Sequence, residues 1–154
     1  MPVICLETRM SAPIDLCFDL ARGIAIHLRS TDKTHERVIG RAATGLLGPN
    51  DEVTWEATHF GVRQRLTSRI TTWNPPYHFR DSMVRGAFHS FDHDHFFEHE
   101  RGITLMKDRF EYTSPLGSVG SLVDALFLKR YMERLLRTRA DVIRAAAEAG
   151  ETPK

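Results

Sequence analysis

The chain has 154 residues, 42% of them apolar and 27% charged, with a net charge of +1 when histidine is neutral. That is enough chain for one domain with a real core, and the composition excludes a disordered polymer. The near-neutral balance supplies no strong field for nucleic acid.

Two cysteines, Cys5 and Cys17, are too few for a disulfide framework, and neither sits in a CxxC. Both fall among apolar residues, as small core hydrophobes do. The opening "MPVICLETRM" lacks a basic n-region and a long apolar run, so it is not read as a signal peptide. No run approaches the ~18 apolar residues of a membrane span. A reduced cytoplasmic compartment is expected.

In chain order, "VICLETRM" alternates: Ile4, Leu6 and Met10 point one way, Glu7 and Arg9 the other, which predicts a strand with one wet face. In "SAPIDLCFDLA", Ser11 can cap a helix, Pro13 fits its first turn, Asp15 suits the positive end of the dipole, and Ile14, Cys17, Phe18 and Ala21 form an apolar stripe. "RGIAIHLRSTDKTHERVIG" reads as an extended lead into a short helix and a polar turn. From Arg41 six β-rich segments follow: "RAATGLL", "EVTWEATHF", "VRQRLTSRITTW", "YHFRDSMVRG", "AFHSFDHDHFFEHE" and "ITLMKDRFEYTS". Short turns between them predict an antiparallel meander, with Pro75 and Pro76 off the central ladder.

After "SPLGSVGS" the pattern is helical through Ala149. Val119, Leu122, Val123, Leu126 and Phe127 make one apolar patch. Leu128, Tyr131, Met132, Leu135, Val142 and Ile143 continue a stripe, with Lys129, Arg130, Arg134 and Arg137 on the other side. Gly150 stops the helix. Residues 1–150 are expected to form a single domain and 151–154 a disordered tail. The fold class is α+β: a seven-stranded curved antiparallel sheet wrapped around a long C-terminal helix, with short helices after the first strand. Such a sheet leaves space against its helix, a natural small-molecule site.

The strand followed by "SAPIDLCFDL" and the passage from "DRFEYTSPLG" into "LVDALFLKRYMERLLRTR" resemble the helix-grip superfamily, also called START-like or SRPBCC, over nearly the whole chain. "DEVTWEATHFG", "LTSRIT", "FRDSMVRGAF", "HDHFFE" and "TLMKDRFEY" resemble a bacterial cyclase-like, ligand-binding group within it. The resemblance implies a cavity that takes a hydrophobic or amphipathic molecule. The superfamily spans lipid carriers, plant hormone receptors, aromatase and cyclase domains and ring-hydroxylating oxygenase subunits, so fold alone does not fix function. The iron-binding oxygenase members carry two histidines and a carboxylate on helical elements of much longer chains, and no counterpart is found here.

"FHSFDHDHFFEHERG" holds four of the eight histidines. His93-x-His95 with Glu98 or Glu100 nearby resembles a first cupin motif, but Gly86 stands too far upstream, Gly102 comes too soon, and no histidine follows His99. No metal and no cofactor are therefore expected. Read by pleat, His89, Phe91, His93, His95, Phe97 and His99 share one face. Phe88, Ser90, Asp92, Asp94, Phe96, Glu98 and Glu100 share the other, so the odd face is the inward one. In "TLMKDRFEY", Met106, Asp108, Phe110 and Tyr112 share a face, and Asp108 is the charge a buried histidine needs. A His–Asp pair there can be purely structural, the polar end of a cavity, or a general base.

Arg63, Arg65 and Arg69 share a face opposite Val62, Leu66 and Ile70, and Glu52 and Glu56 are expected to pair with them across the ladder. Trp55 has the inward parity of Val53, Ala57 and His59. No P-loop, GxGxxG, GxSxG or zinc CxxC pattern is present in the sequence.

The expected function is binding of a small hydrophobic or amphipathic, lipid- or polyketide-like ligand between sheet and C-terminal helix. The expected contacts are Trp55, Phe91, His93, His95, Phe97, Asp108, Phe110, Tyr112, Tyr131 and Met132. The alternative is a cyclase- or dehydratase-type enzyme with His93, His95 and Asp108 as catalytic candidates. A further alternative is a protein-interaction module without a small ligand. No nucleic acid and no membrane span are expected, and a homodimer stays open.

Overall fold

The computed structural model describes residues 1–40, 45–115 and 122–154, with the side chains of 123 and 124 left out of the description. The elements run β1 (Val3–Met10), α1 (Ile14–Ala21), α2 (Ile24–Ser30), a 3-10 turn over Asp32–Thr34, β2 (Arg37–Ile39), β3 (Glu52–His59), β4 (Val62–Asn74), β5 (His78–Arg85), β6 (Ser90–Glu100), β7 (Ile103–Thr113) and α3 (Leu122–Glu148). All seven strands join one antiparallel sheet in the order β1-β7-β6-β5-β4-β3-β2. α3 lies against β1, α1 and α2. This is the helix-grip architecture expected from the element order. Among the described residues no helix is long and apolar enough to cross a membrane.

Four local expectations are corrected. The strand expected at "RAATGLL" is found earlier, as the three-residue β2, paired with β3 through Arg37↔Glu56 and Val38↔Trp55. Residues 41–44 lie outside the described residues, and Leu46 makes only an isolated bridge to Gly23. Ser11 does not cap α1: Pro13 occupies the N-cap without a side-chain bond, and Ser11 instead gives its backbone N–H to Glu148 of α3 at 3.3 Å. The expected disordered tail is anchored at its first residue. Glu151 gives its N–H to Ala146 and accepts two bonds from Arg29, at 2.9 and 3.2 Å. Finally, Phe88 is not on the wet face, because β6 begins only at Ser90. Phe88 packs against Phe91, Phe110 and Tyr112.

The ladder across β3 and β4 follows from charge. Glu56 stands opposite Arg65 and accepts from Arg65 Nε at 2.8 Å, Arg63 Nε at 3.1 Å and Arg37 Nε at 2.9 Å. Glu52 pairs with Arg69. The basic face of β4 is thus neutralised by its neighbours, as the sequence suggests.

The core lies where α1 and the last turns of α3 cover the sheet. Phe18 of α1 meets Trp73, Phe79 and Phe97 edge-on at 5.3, 5.3 and 5.5 Å, and Cys17, Leu20, Ile143 and Ala147 complete the cluster. Truncating Phe18 removes the central ring of three edge-to-face pairs. The expected outcome for Phe18→Ala is a loss of about 3–5 kcal/mol, measured as a lower urea midpoint at unchanged slope.

Candidate functional site

Where α3 leaves the sheet at its first half, a cavity of about 510 Å³ opens. Its sheet wall comes from Trp55, Ala57 and His59 of β3, Leu66 and Ser68 of β4, Asp81 of β5, Phe91 and His93 of β6 and Phe110 of β7. Its helix wall comes from Leu128, Tyr131, Met132, Leu135, Leu136 and Arg139 of α3. Its far end is lined by His27 and Ser30 of α2, by Thr31 just after it and by Glu36. At the other end the β3–β4 turn meets α3. His59 Nδ1 and the Tyr131 hydroxyl lie 2.7 Å apart, and Phe60 packs on Tyr131 at 4.6 Å and Phe127 at 5.5 Å. Phe60, Leu122, Leu126 and Phe127 stay exposed around that rim. Val119, expected in the apolar patch, lies outside the described residues, as does all of 116–121.

The register explains which polar groups meet. One rung runs Leu6–Asp108–His95–Phe79, and the next Ile4–Phe110–His93–Asp81. His95 is therefore opposite Asp108, and His93 lies diagonal to Asp108 and opposite Asp81. His93 Nε2 lies 3.0 Å and His95 Nδ1 2.8 Å from the same oxygen, Asp108 Oδ1. The His93 bond is well aligned, whereas neither nitrogen of His95 has an aligned hydrogen-bond partner. His95 instead stacks on Phe79 at 4.4 Å and leans on His93 at 4.0 Å. Burial, reinforced by His93, pushes the His95 imidazole down to about 3, so it is neutral near pH 7. For Asp108 burial works upward, but His95 and the hydrogen bond from His93 outweigh it and hold the carboxyl below its ordinary range. The result is an ionised carboxylate held by an imidazole donor inside the sheet's inner face.

Of the ten expected ligand contacts, Trp55, Phe91, His93, Phe110, Tyr131 and Met132 line the cavity. The other four do not reach it. His95 is screened by Phe79 and His93, Asp108 sits behind the two histidines, Phe97 packs under Phe18, and Tyr112 is enclosed with Ile4, Leu6 and Leu136. From Phe91 to Phe97 the odd face of β6 is the buried one, as parity predicts, while His99 at its end is exposed and one residue of the even face is buried. Asp94 is 1% exposed, because Arg80 and His78 both bond it and His78 stacks on Phe96.

Sequence reasoning missed Asp81, Ser68, Arg139, Glu36 and His27. Three carried a readable signal. Asp81 interrupts the row it shares with Phe79 and Met83, Ser68 the row of Leu66 and Ile70, and Arg139 the α3 stripe between Leu135 and Ile143. Burial pushes the Asp81 carboxyl up and the Arg139 guanidinium down from their ordinary values. Glu36 is held low despite burial, by His27 at 3.2 Å.

His93, His95 and Asp108 place three ligand-type atoms within 4.8 Å of one another, the set best placed among the described residues to hold a divalent cation. Metal-bound histidines normally donate their second nitrogen to an outer partner. His95 Nε2 has none. The trio reads more simply as a buried His–Asp network in which His93 makes the aligned bond and His95 packs beside it.

A seven-stranded antiparallel sheet folded over one long helix, with a largely apolar cavity between them, defines the helix-grip fold. Solved structures with this fold include TTHA0849 from Thermus thermophilus, with TM-score 0.71 and 20% identity over 95% of this chain and 99% of that one. Ms6760 from Mycobacterium smegmatis matches with TM-score 0.66 and 16% identity, covering 97% and 92% of the two chains. Major latex-like protein 151 from Panax ginseng matches with TM-score 0.66 and 13% identity, covering 95% and 97%. No family model and no curated protein matches the chain in sequence.

The depressed folded-state value of His95 has a direction. The unfolded chain takes up the proton near 6.5 and the folded chain only near 3. The contribution of neutral His95 is therefore complete above pH 6.5 and is lost as pH falls toward 3, at up to ~1.4 kcal/mol per pH unit. Replacing His95 with Gln is expected to flatten the fall of stability from about pH 6.5 to about pH 4, measured by urea unfolding at stepped pH.

Proposed function

We propose that the protein binds a small hydrophobic or amphipathic molecule, lipid- or polyketide-like, in the cavity between the sheet and α3. The observation that supports this is the cavity itself. Its volume of about 510 Å³ falls in the range of small-molecule sites, and aromatic and aliphatic side chains dominate its walls. Apolar ligand surface would leave water against Trp55, Phe91, Phe110 and Leu136, gaining roughly 25 cal/mol per Å² buried. His59, Phe60 and Tyr131 would act as the gate. A cytoplasmic setting belongs to the same reading, supported by two unpaired cysteines. The exposed rim of Phe60, Leu122, Leu126 and Phe127 is the surface a homodimer or a partner chain would use.

The direct test is native mass spectrometry for a co-purified molecule, together with titration of an apolar fluorophore, 1-pyrenebutanol. Ala57 is 4% exposed and lines the cavity from β3. Ala57→Phe is expected to fill the space and weaken 1-pyrenebutanol binding at least ~10-fold, the loss of about 1.4 kcal/mol of apolar burial. Equal affinity in the filled variant would overturn the cavity as the binding site.

One observation favours a second reading, an enzyme of the cyclase or dehydratase type. His93 faces the cavity while Asp108 orients it from behind, an arrangement suited to removing a proton next to a substrate carbonyl. With a substrate in hand, His93→Gln is expected to lower turnover ~10²–10⁴-fold while sparing substrate binding. Unchanged turnover would exclude His93 as the base.

A further inference from the structure

Seven buried polar side-chain atoms among the described residues lack an aligned hydrogen-bond partner, and four of them belong to cavity-lining residues: His27 Nδ1, Ser68 Oγ, Asp81 Oδ1 and Arg139 Nε. They come from four different elements, α2, β4, β5 and α3, and lie together at the cavity wall: Asp81 is beside the Ser68 hydroxyl and within electrostatic reach of Arg139 and His27. Buried polar atoms are nearly always paired, so such a cluster marks the place of a missing polar group.

Arg139 defines the sign of that group. Among the described residues Glu36, Glu56, Asp94 and Asp108 have ion-pair partners, while Asp81 meets only the Ser68 hydroxyl. Glu36 has His27, Glu56 has three arginines, Asp94 has Arg80 and His78, and Asp108 has His93. Arg139 makes one polar contact, Nη2 donating to the carbonyl of Ala21 at 3.1 Å, and no carboxylate stands within ion-pair distance among the described residues. A guanidinium that buries its Nε without a partner is costly, and a ligand anion would offset that cost.

We propose that the molecule bound in the cavity carries a carboxylate, seated at the inner end between Arg139 and Ser68, with its apolar body along Trp55, Phe91 and Phe110. This deepens the ligand-binding reading and rests on it. One carboxylate oxygen accepts from Arg139 Nε, and the other accepts from the Ser68 hydroxyl. Burial pushes the Asp81 carboxyl, beside the Ser68 hydroxyl, up toward the neutral form, which lessens its repulsion of an anion. A cationic head would face Arg139 directly, and a neutral hydroxyl would leave the guanidinium charge unmatched.

The test compares two probes that share one fluorophore, 1-pyrenebutyrate and 1-pyrenebutanol, titrated into the whole chain at neutral pH. Wild type is expected to bind the acid at least ~10-fold more tightly than the alcohol, the scale of one charge-assisted hydrogen bond. Arg139→Met keeps the apolar stem and is expected to abolish that preference by weakening the acid alone, while Arg139→Lys retains part of it. Ser68→Ala is expected to weaken the acid several-fold and leave the alcohol unchanged, which keeps the test open should Arg139→Met fail to fold by circular dichroism. Equal binding of acid and alcohol by wild type, or a preference that survives Arg139→Met, overturns the carboxylate while cavity binding stands. Failure of both probes to bind overturns the cavity reading along with it.

Discussion

A carboxylate on the inner face of a sheet costs several kcal/mol unless donors surround it, and Asp108 sits on that face in the middle of β7. Much of the molecule's interior is arranged around that constraint. His95 stands opposite it and His93 diagonal to it, both against the same oxygen. Phe79 covers His95, and Phe18 of α1 covers Phe79. The aromatic core and the polar network are thus one stack, and the packing of α1 is what keeps water from the carboxylate.

The same network divides the inner face into two regions. Toward α1 the sheet is filled with rings and no space remains. Toward the β3–β4 turn, α3 stands away from the sheet and a cavity opens. His93 lies on the boundary, with Asp108 behind it and the cavity in front. Arg139 marks the same boundary on the helix. On the cavity side of that line Glu36 pairs with His27, while Arg139 has no carboxylate within ion-pair distance among the described residues.

Much of this was legible in the sequence. Strict alternation placed β1 and β3 to β7, because each has one apolar face long enough to show a period of two. β2 escaped, since three residues cannot display alternation and its pairing is set by Glu56 and Trp55 across the ladder. Parity identified His93, His95 and Asp108 as facing inward together. It did not tell which part of that face α3 leaves uncovered, so His95, Phe97, Asp108 and Tyr112 were grouped with cavity residues they lie behind. Asp81, Ser68 and Arg139 were overlooked although each interrupts an apolar series. His27 and Glu36 gave no such signal, because they flank an irregular turn whose geometry is tertiary.

β1 is an edge strand, yet it supplies the Leu6 end of the rung that shelters Asp108. The meander from β2 to β7 is built from neighbours in sequence, whereas β1 must return from the far end of the chain to pair with β7. Loop-closure entropy opposes that step until the pairing is made. Until it happens, Asp108 and its two histidines lack one wall and stay open to water, where an ionised carboxylate is well solvated. The pairing of β1 with β7, the contact of longest sequence separation in the sheet, is therefore also the one that completes the wall around Asp108.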